Sequence, residues 1–337
     1  MRRLTRRLTR WLHTGARAIP KRRGAWASVC LAAGAAVLLA VLSGSARLDA
    51  GARRPRAAAV TQDDASNDPL LNQNARHMSV FTARAQTYKG FVTREYADAS
   101  GASMTYYLYI PPAVSAEASA GLATRFPVVV LLHGIGESAR VSSTAAQNRD
   151  RILGDPYVNL WSSAAVQAKW PSFIIVPQAI TPNRWVDAPP HLVSYNLNAT
   201  PSTSLALAHE ILDATLDQYA TSVDRQRVYI TGISMGGAGV WDAIERWPQE
   251  FAAAAPVSGA GDPAEAFVLA KMPIWVFQGA LDTTLPVAAS VEMVNAISAA
   301  GGQPRLTEVQ GASHVIWLQV YRNPTFLAWL FAQRASA

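Results

Sequence analysis

The sequence predicts an α/β domain built on a doubly wound, mostly parallel sheet, with an N-terminal hairpin and no large cap domain. Three observations predict it. Several short runs are apolar throughout, as strands buried on both faces are. Amphipathic helical periods separate those runs. Glycines gather where the runs end, which is where ligands sit in such sheets.

The elements follow in order. The domain spans residues 86–337. "KGFVTREYA" and "MTYYLYIPP" alternate as two strands do, and "DASGAS" between them reads as a hairpin turn. "FPVVVLLHG", Phe126 to Gly134, is a continuous apolar run ending in glycine, and "SFIIVPQ" is another. "SLALAHEILDATLDQYA" places Leu205, Ala208, Leu212, Leu216 and Tyr219 at helical spacings of three and four. "RVYITG" is a further strand, followed by a helix from Gly237 to Trp247 that Pro248 stops. "AAAAPVSG" and "PIWVFQG" are the next strands. Val291, Val294 and Ile297 then mark a helix that Gly301 ends. "RLTEV" reads as a strand, and "YRNPTFLAWLFAQR" closes the chain as a helix.

The formal charge of +7 belongs to the N-terminus. Residues 1–58 hold 13 of the 30 Lys and Arg and one acid, Asp49, which leaves 17 basic and 22 acidic residues in the remainder, net −5. That balance excludes a nucleic-acid surface on the body. Residues 1–46 read instead as a basic region followed by the uncharged run Ala25 to Leu42, 18 residues between the length of a signal-peptide core and that of a minimal membrane span. Positive charge before the run places the N-terminus in the cytoplasm and exports the body, to the periplasmic or extracellular side. Small residues at Gly44 and Ala46, and at Ala50 and Ala52, suit a signal peptidase, so a cleaved signal and an uncleaved anchor both remain open. In the second case the protein meets the membrane through this segment. Arg22-Arg23 match a twin-arginine signal poorly. The single cysteine, Cys30, lies inside the apolar run, so the body can form no internal disulfide. Val29 stands before it where lipid attachment calls for a small residue. Residues 47–85, rich in Ala, Arg, Asp, Asn and Gln, read as a flexible linker.

Chemistry centres on "RVYITGISMGGAGVW". A strand enters Gly232-Ile233-Ser234-Met235-Gly236 and a helix leaves it. Such a turn strains its middle residue, and the flanking glycines remove side chains that would clash. The hydroxyl of Ser234 is then held at a helix N-terminus, where negative charge is favoured. A nucleophilic serine needs a base, and the base needs an acid to orient it. His314, in "VQGASHVIW", is the only histidine after Ser234. Asp282 follows the strand "IWVFQG" at its carboxyl end and precedes a helix. Asp262, one strand earlier, competes for the same role, although it also suits the cap of a short helix near Pro263. The backbone amides of Met235, directly after the serine, and of Ile135, in "HGIGES", are placed to bind an oxyanion. His133 precedes the serine and abuts its strand, so it reads as a buried residue that shapes that loop.

Together these residues resemble the α/β-hydrolase superfamily, and within it the serine esterases related to polyhydroxybutyrate depolymerases, feruloyl esterases and predicted peptidases. The likeness runs from about Tyr88 to Phe331. "LLHGIGES" looks like the oxyanion loop, and "FIIVPQ" with Trp185 like the next strand and its loop. The nearest likeness is "VDRQRVYITGISMGGAGVWDAIERWPQEFAAAAPVSGAGD". "IWVFQGALDTTLPVAASVEMVNAISAAGG" looks like the acid segment and "GASHVIW" like the histidine segment. Gln278 departs from the family, which has histidine in "FHG". The resemblance implies an α/β-hydrolase fold and hydrolysis of carboxylic esters through an acyl-enzyme on Ser234, with no metal or organic cofactor.

Only Ala260 to Met272 separate "AAAAPVSG" from "PIWVFQG", too few for a cap. The site is therefore expected to be open, reached over loops from Glu137 to Lys169 and from Thr181 to Ser204, and to suit a short-acyl or polymer-linked ester. Trp161, Trp185 and Trp317 are the candidate substrate contacts, with His191 and Tyr195 nearby. Aromatics in such loops either stack on sugar or phenolic groups or pack beneath the loops. Two other readings stand beside the esterase. A serine peptidase would use the same three residues, though prolyl-oligopeptidase types usually carry a propeller for which there is no room. A non-catalytic binding module would be marked by loss of one of the three residues, and none is lost.

Overall fold

The computed structural model describes residues 87–189 and 193–335. The basic and apolar segment 1–46, the linker 47–85 and His191 lie outside the described residues. Among the described residues, no helix is long and apolar enough to cross a membrane.

The chain opens with β1 (Thr87–Tyr88), β2 (Phe91–Ala97) and β3 (Ser103–Tyr109). β2 and β3 pair antiparallel in the expected hairpin. Asp98 folds the turn, since its Oδ1 accepts from the amides of Ser100 and Ala102 and from the Ser100 hydroxyl at 2.7–2.9 Å. A short helix, α1 (Ala113–Ser119), leads to β4 (Phe126–Leu132), which is buried throughout.

The stretch from Glu137 to Lys169, expected as loop, holds three short helices: α2 (Ala145–Leu153), α3 (Pro156–Trp161) and α4 (Ala164–Lys169). Each is started by its own cap. Thr144 and Gln147 form a reciprocal capping box, Asp155 caps α3 ahead of Pro156, and Ser163 caps α4. Such caps satisfy amides that have no carbonyl partner within the helix.

After β5 (Phe173–Pro177) come α5 (Thr203–Gln218), β6 (Val223–Ile233), α6 (Met235–Arg246) and β7 (Ala253–Val257). A 3-10 turn, Pro263–Leu269, is the regular element between β7 and β8 (Trp275–Gly279), so no cap interrupts the sheet there. The chain ends with α7 (Val287–Ala299), β9 (Arg305–Val309), α8 (Trp317–Tyr321) and α9 (Pro324–Ala332).

These strands form a nine-stranded sheet in the order β1-β2-β3-β5-β4-β6-β7-β8-β9. The first three pairings are antiparallel, and all those from β5 to β9 are parallel. Side chains of a strand alternate between faces, and β4 shows the result. Val128, Val130 and Leu132 pack on one side with Leu205, Ile211 and Leu212 of α5 and Val240 of α6. Val129 and Leu131 pack on the other with Val158 of α3 and Phe326 and Leu330 of α9. Each fully buried side chain of this size contributes about 1.5–3 kcal/mol. Helices on both faces leave the carboxyl ends of the parallel strands as the open end of the sheet, and the site forms there.

Candidate active site

β6 runs straight into Ser234, whose backbone is turned to φ 52° and ψ −116°. A β-carbon in that region normally clashes, so the turn must be held from outside. It is held by the Ser234 amide, which donates to the carbonyl of Val257 at 2.9 Å, and by close packing. A β-carbon on Gly236 would lie 2.1 Å from the Leu132 carbonyl oxygen, and one on Gly232 would lie 2.5 Å from that of Gly236. Glycine is required at both positions because backbone passes where a side chain would stand.

Three residues from three strand ends meet. His314 Nε2 lies 2.8 Å from Ser234 Oγ, and His314 Nδ1 lies 2.7 Å from Asp282 Oδ2. Asp282 is fixed in turn. Its Oδ1 accepts from the amides of Thr284 and Leu285 at 2.8 and 2.9 Å, and its Oδ2 also accepts from Gln278 Nε2 at 2.7 Å. Gln278 is fully buried, and it also donates to the Leu285 carbonyl and accepts from the Ser290 hydroxyl. The carbonyl of His314 accepts from the hydroxyl of Ser258, at the end of β7. Asp262 is the carboxylate that caps the 3-10 turn, and its second oxygen accepts from the Leu197 amide at 2.7 Å.

Ser234, Met235, His314 and Ile135 all line one cleft of about 450 Å³. Met235 is the first residue of α6, so its amide has no carbonyl to serve within the helix. Ile135 opens a 3-10 turn, Ile135–Glu137, directly after β4, and its side chain is 60% exposed at the rim. The cleft wall is mostly apolar, with Val186, Ala188, Ile233, Ala238, Leu285 and Trp317; Arg184 and Glu137 are its charged side chains. Burial pushes the Glu137 carboxyl above its ordinary pKa.

His133 is fully buried beneath this loop. Its Nδ1 lies 2.5 Å from the Gly134 carbonyl, and its Nε2 accepts from the Ala179 amide at 3.0 Å. Those partners fix the neutral tautomer with the proton on Nδ1. Burial accordingly lowers its pKa to about 4.

The three candidate tryptophans separate. Trp317 lines the cleft, with its ring edge-on to His314 at 5.8 Å. Trp161 does not reach it: the ring is fully buried on α3, 5.2 Å from Tyr321. Trp185 does not reach it either. It is fully buried, edge-on to His133 at 5.1 Å, and its indole donates to the His133 carbonyl at 2.9 Å. Neither is a substrate contact: both pack beneath the loops, the alternative the sequence left open, because a large ring next to long surface segments gains more from burial than from exposure. Tyr195 is largely buried but contributes to the cleft wall.

Sequence reading missed Gln278 as a partner of the acid, and missed Arg184. The available signal for Gln278 was a polar residue inside an otherwise apolar strand, four residues before Asp282. Away from the cleft, His209, Asp213 and Glu250 bring possible ligand atoms within 4.8 Å of one another. Burial disfavours the charged ring of His209, but the hydrogen bond and charge of Glu250 outweigh it and raise the pKa. The His209 ring nitrogen Nε2 lies 2.9 Å from both Glu250 carboxylate oxygens.

Residues 199–318 match the Dienelactone hydrolase family. Among solved structures, a thermostable esterase is similar at 30% identity and a TM-score of 0.61, over 73% of this chain and 63% of that one. The chain thus spans less than two thirds of that esterase. The feruloyl esterase module from Clostridium thermocellum complexed with sinapinate is similar at 15% identity and a TM-score of 0.51, over 73% of this chain and 90% of that one. The acylaminoacyl peptidase of Pyrococcus horikoshii is similar at 14% identity and a TM-score of 0.51, over 74% of this chain and 42% of that one. At such identities the last two speak to the fold alone. No curated protein matches the chain. The parallel sheet with helices on both faces, seen together with these likenesses, is the α/β-hydrolase fold.

Proposed function

We propose that the chain is a serine esterase that cleaves carboxylic esters through an acyl-enzyme on Ser234. The observation that carries the reading is the continuous contact Ser234 Oγ, His314, Asp282, at 2.8 and 2.7 Å, on the wall of an apolar cleft. His314 Nε2 takes the hydroxyl proton as Ser234 Oγ attacks the carbonyl carbon. Asp282 accepts the Nδ1 proton in its hydrogen bond, which sets the tautomer and stabilises the imidazolium. The amides of Met235 and Ile135 receive the negative charge that develops on the carbonyl oxygen. His314 then returns the proton to the departing alkoxide. Water, deprotonated by the same imidazole, releases the acid and frees the serine. The similarity to a thermostable esterase supports this reading. With no cap between β7 and β8, the cleft suits short-acyl or polymer-linked esters. The basic stretch and apolar run of residues 1–46 lead us to place the body on the exported side of a membrane, either released or anchored.

The test uses the full chain and Ser234→Ala, each exposed to a fluorophosphonate and to p-nitrophenyl acetate, butyrate and octanoate, methyl ferulate and a peptide anilide. Label on Ser234 with ester cleavage lost in the variant is the expected result. Anilide cleavage faster than ester cleavage would assign a peptidase instead. A folded protein with neither label nor turnover would overturn the reading.

A further inference from the structure

We propose that a second site, at the amino ends of β8 and β9, binds an anionic sugar, a hydroxylated ring that carries a carboxylate or a phosphate. Lys271 and Arg305 face one cavity of about 400 Å³ there, with Gln303, Gln333 and Trp329 around them. Sites for small ligands span about 300–1,000 Å³. This cavity is separate from the cleft. Ser234, Asp282 and His314 stand at the carboxyl ends of the parallel strands, and the five residues of β8 put about 16 Å between the two ends. The second site is therefore independent of the chemistry at Ser234.

Charge selects an anion. Lys271 and Arg305 line the cavity, and no aspartate or glutamate does. Among the described residues, neither side chain makes a hydrogen bond or an ion pair. Other arginines of the body are engaged: Arg149 with Asp150, Arg225 with Asp217, Arg227 with Asp224 and Arg246 with Asp242. Glu308 is the acid of β9, but three residues on from Arg305 it projects from the opposite face of the strand. Two cations that share one concave surface without an acid concentrate anions there. The planar fork of Arg305 suits the oxygens of a carboxylate or of a phosphate, and Lys271 adds a point charge.

Arg305 is also held in place. Its guanidinium lies over the rings of Trp275 and Trp329, 5.2 and 5.8 Å from their centroids. Its amide donates to the Ile274 carbonyl at 2.8 Å, and its backbone pairs with Trp275 across the sheet. A cation settled on aromatic rings is ordered before a ligand arrives, so less is lost on binding.

The rest of the lining suits a sugar rather than a bare anion. Gln333 Nε2 donates to the Trp329 carbonyl at 2.7 Å, which fixes that amide and leaves its oxygen to accept from a hydroxyl. Gln303 is exposed and offers both a donor and an acceptor. Hydroxyls give and take hydrogen bonds, and two amides answer both. Trp329 is half-buried and adds the apolar surface that a sugar ring can cover.

The experiment titrates glucuronate, glucose 6-phosphate, glucose and inorganic phosphate into the full chain by calorimetry at low salt. Wild type, Lys271→Gln, Arg305→Gln and Ser234→Ala are compared. Glucuronate or glucose 6-phosphate should bind wild type about tenfold or more tightly than glucose and inorganic phosphate do, and the one that binds names the acid. Lys271→Gln and Arg305→Gln should each weaken that binding about tenfold. Added salt should weaken it too. Lys271 is exposed, so Lys271→Gln keeps the test decisive even where Arg305→Gln fails to fold. Ser234→Ala should bind as wild type does. Loss of binding in Ser234→Ala would put the sugar in the cleft and overturn the inference. Equal binding of glucose, equal binding of inorganic phosphate, no binding, or an affinity that neither cation variant changes would overturn it as well.

Discussion

The indole of Trp185 donates to the carbonyl of His133 at 2.9 Å, and so ties the loop after β5 to the residue at the end of β4. Trp185 therefore supports the site from below, whereas Trp317 forms part of its surface. Trp185→Phe should lower stability by about 1–2 kcal/mol, through an unpaired buried carbonyl. Trp161→Ala should cost more, about 3–5 kcal/mol, as a large buried ring leaves a cavity. Trp317→Ala should instead change kcat/KM along the acyl series with little change in melting temperature. Thermal unfolding and steady-state kinetics on the three variants separate the roles.

Removing the acid's charge should damage turnover and spare the fold. Asp282→Asn is expected to lower kcat by about 10⁴, as the imidazole loses its orienting partner. Gln278→Leu removes one of the bonds to Asp282 and should lower kcat by about tenfold or more. Both are read by kcat on p-nitrophenyl butyrate, with near-UV circular dichroism unchanged for Asp282→Asn.

Two glycines of the site should answer oppositely to alanine. Gly236→Ala pushes a methyl against the Leu132 carbonyl oxygen at 2.1 Å and cannot be accommodated without moving β4 from α6. Loss of soluble, active protein is expected. Gly136→Ala meets nothing within 4 Å, so the protein should fold and keep its stability within about 0.5 kcal/mol of wild type. Expression yield and calorimetry check both.

Stability should depend on pH through two buried groups of opposite sign. Burial is the main cause that raises the Glu245 carboxyl from 4.5 to about 8, with the charges of Asp242 and Asp262 adding to it. Between those values the folded state holds a proton that the unfolded state has lost, so stability falls as pH rises, by about 1.4 kcal/mol per unit at most. Burial lowers His133 from 6.5 to about 4. Between those values the unfolded state binds the extra proton, so stability falls as pH falls. Melting temperatures of Glu245→Gln should decline less than wild type from pH 6 to 9. Those of His133→Gln should decline less from pH 6.5 to 4.5, although this variant starts lower.

Much of the sheet was legible because a strand buried on both faces must be apolar throughout, as Val128 to Leu132 are. The turn at Ser234 was legible because strain leaves glycines behind it. Choosing Asp282 over Asp262 rested on strand order, and the structure sets Asp282 against His314 and Asp262 against the Leu197 amide. The helices α2 to α4 were missed because each is too short to show a period, although Thr144 with Gln147, Asp155 with Pro156, and Ser163 all carried start signals. Trp161 and Trp185 were misplaced because sequence shows which loop holds a ring, not which way the ring turns. Gln278 was passed over because Asp282, Leu285 and Ser290 come back to it only through the turn after β8, and Arg184 because sequence does not show which loop residues line the cleft.

The contact between His314 and Ser234 joins positions 80 residues apart, and that with Asp282 joins positions 32 apart. During synthesis at about 5–20 residues per second, the nucleophile emerges roughly 4–16 s before its base. Throughout that interval, a growing chain carries the strand, the serine and the glycine turn but has nothing to take the proton. A premature stop before β9 would likewise leave a product with its nucleophile in place and no activity. On the proposed mechanism, activity waits for the last strand, so ester cleavage regained after dilution from denaturant would report the completion of the sheet.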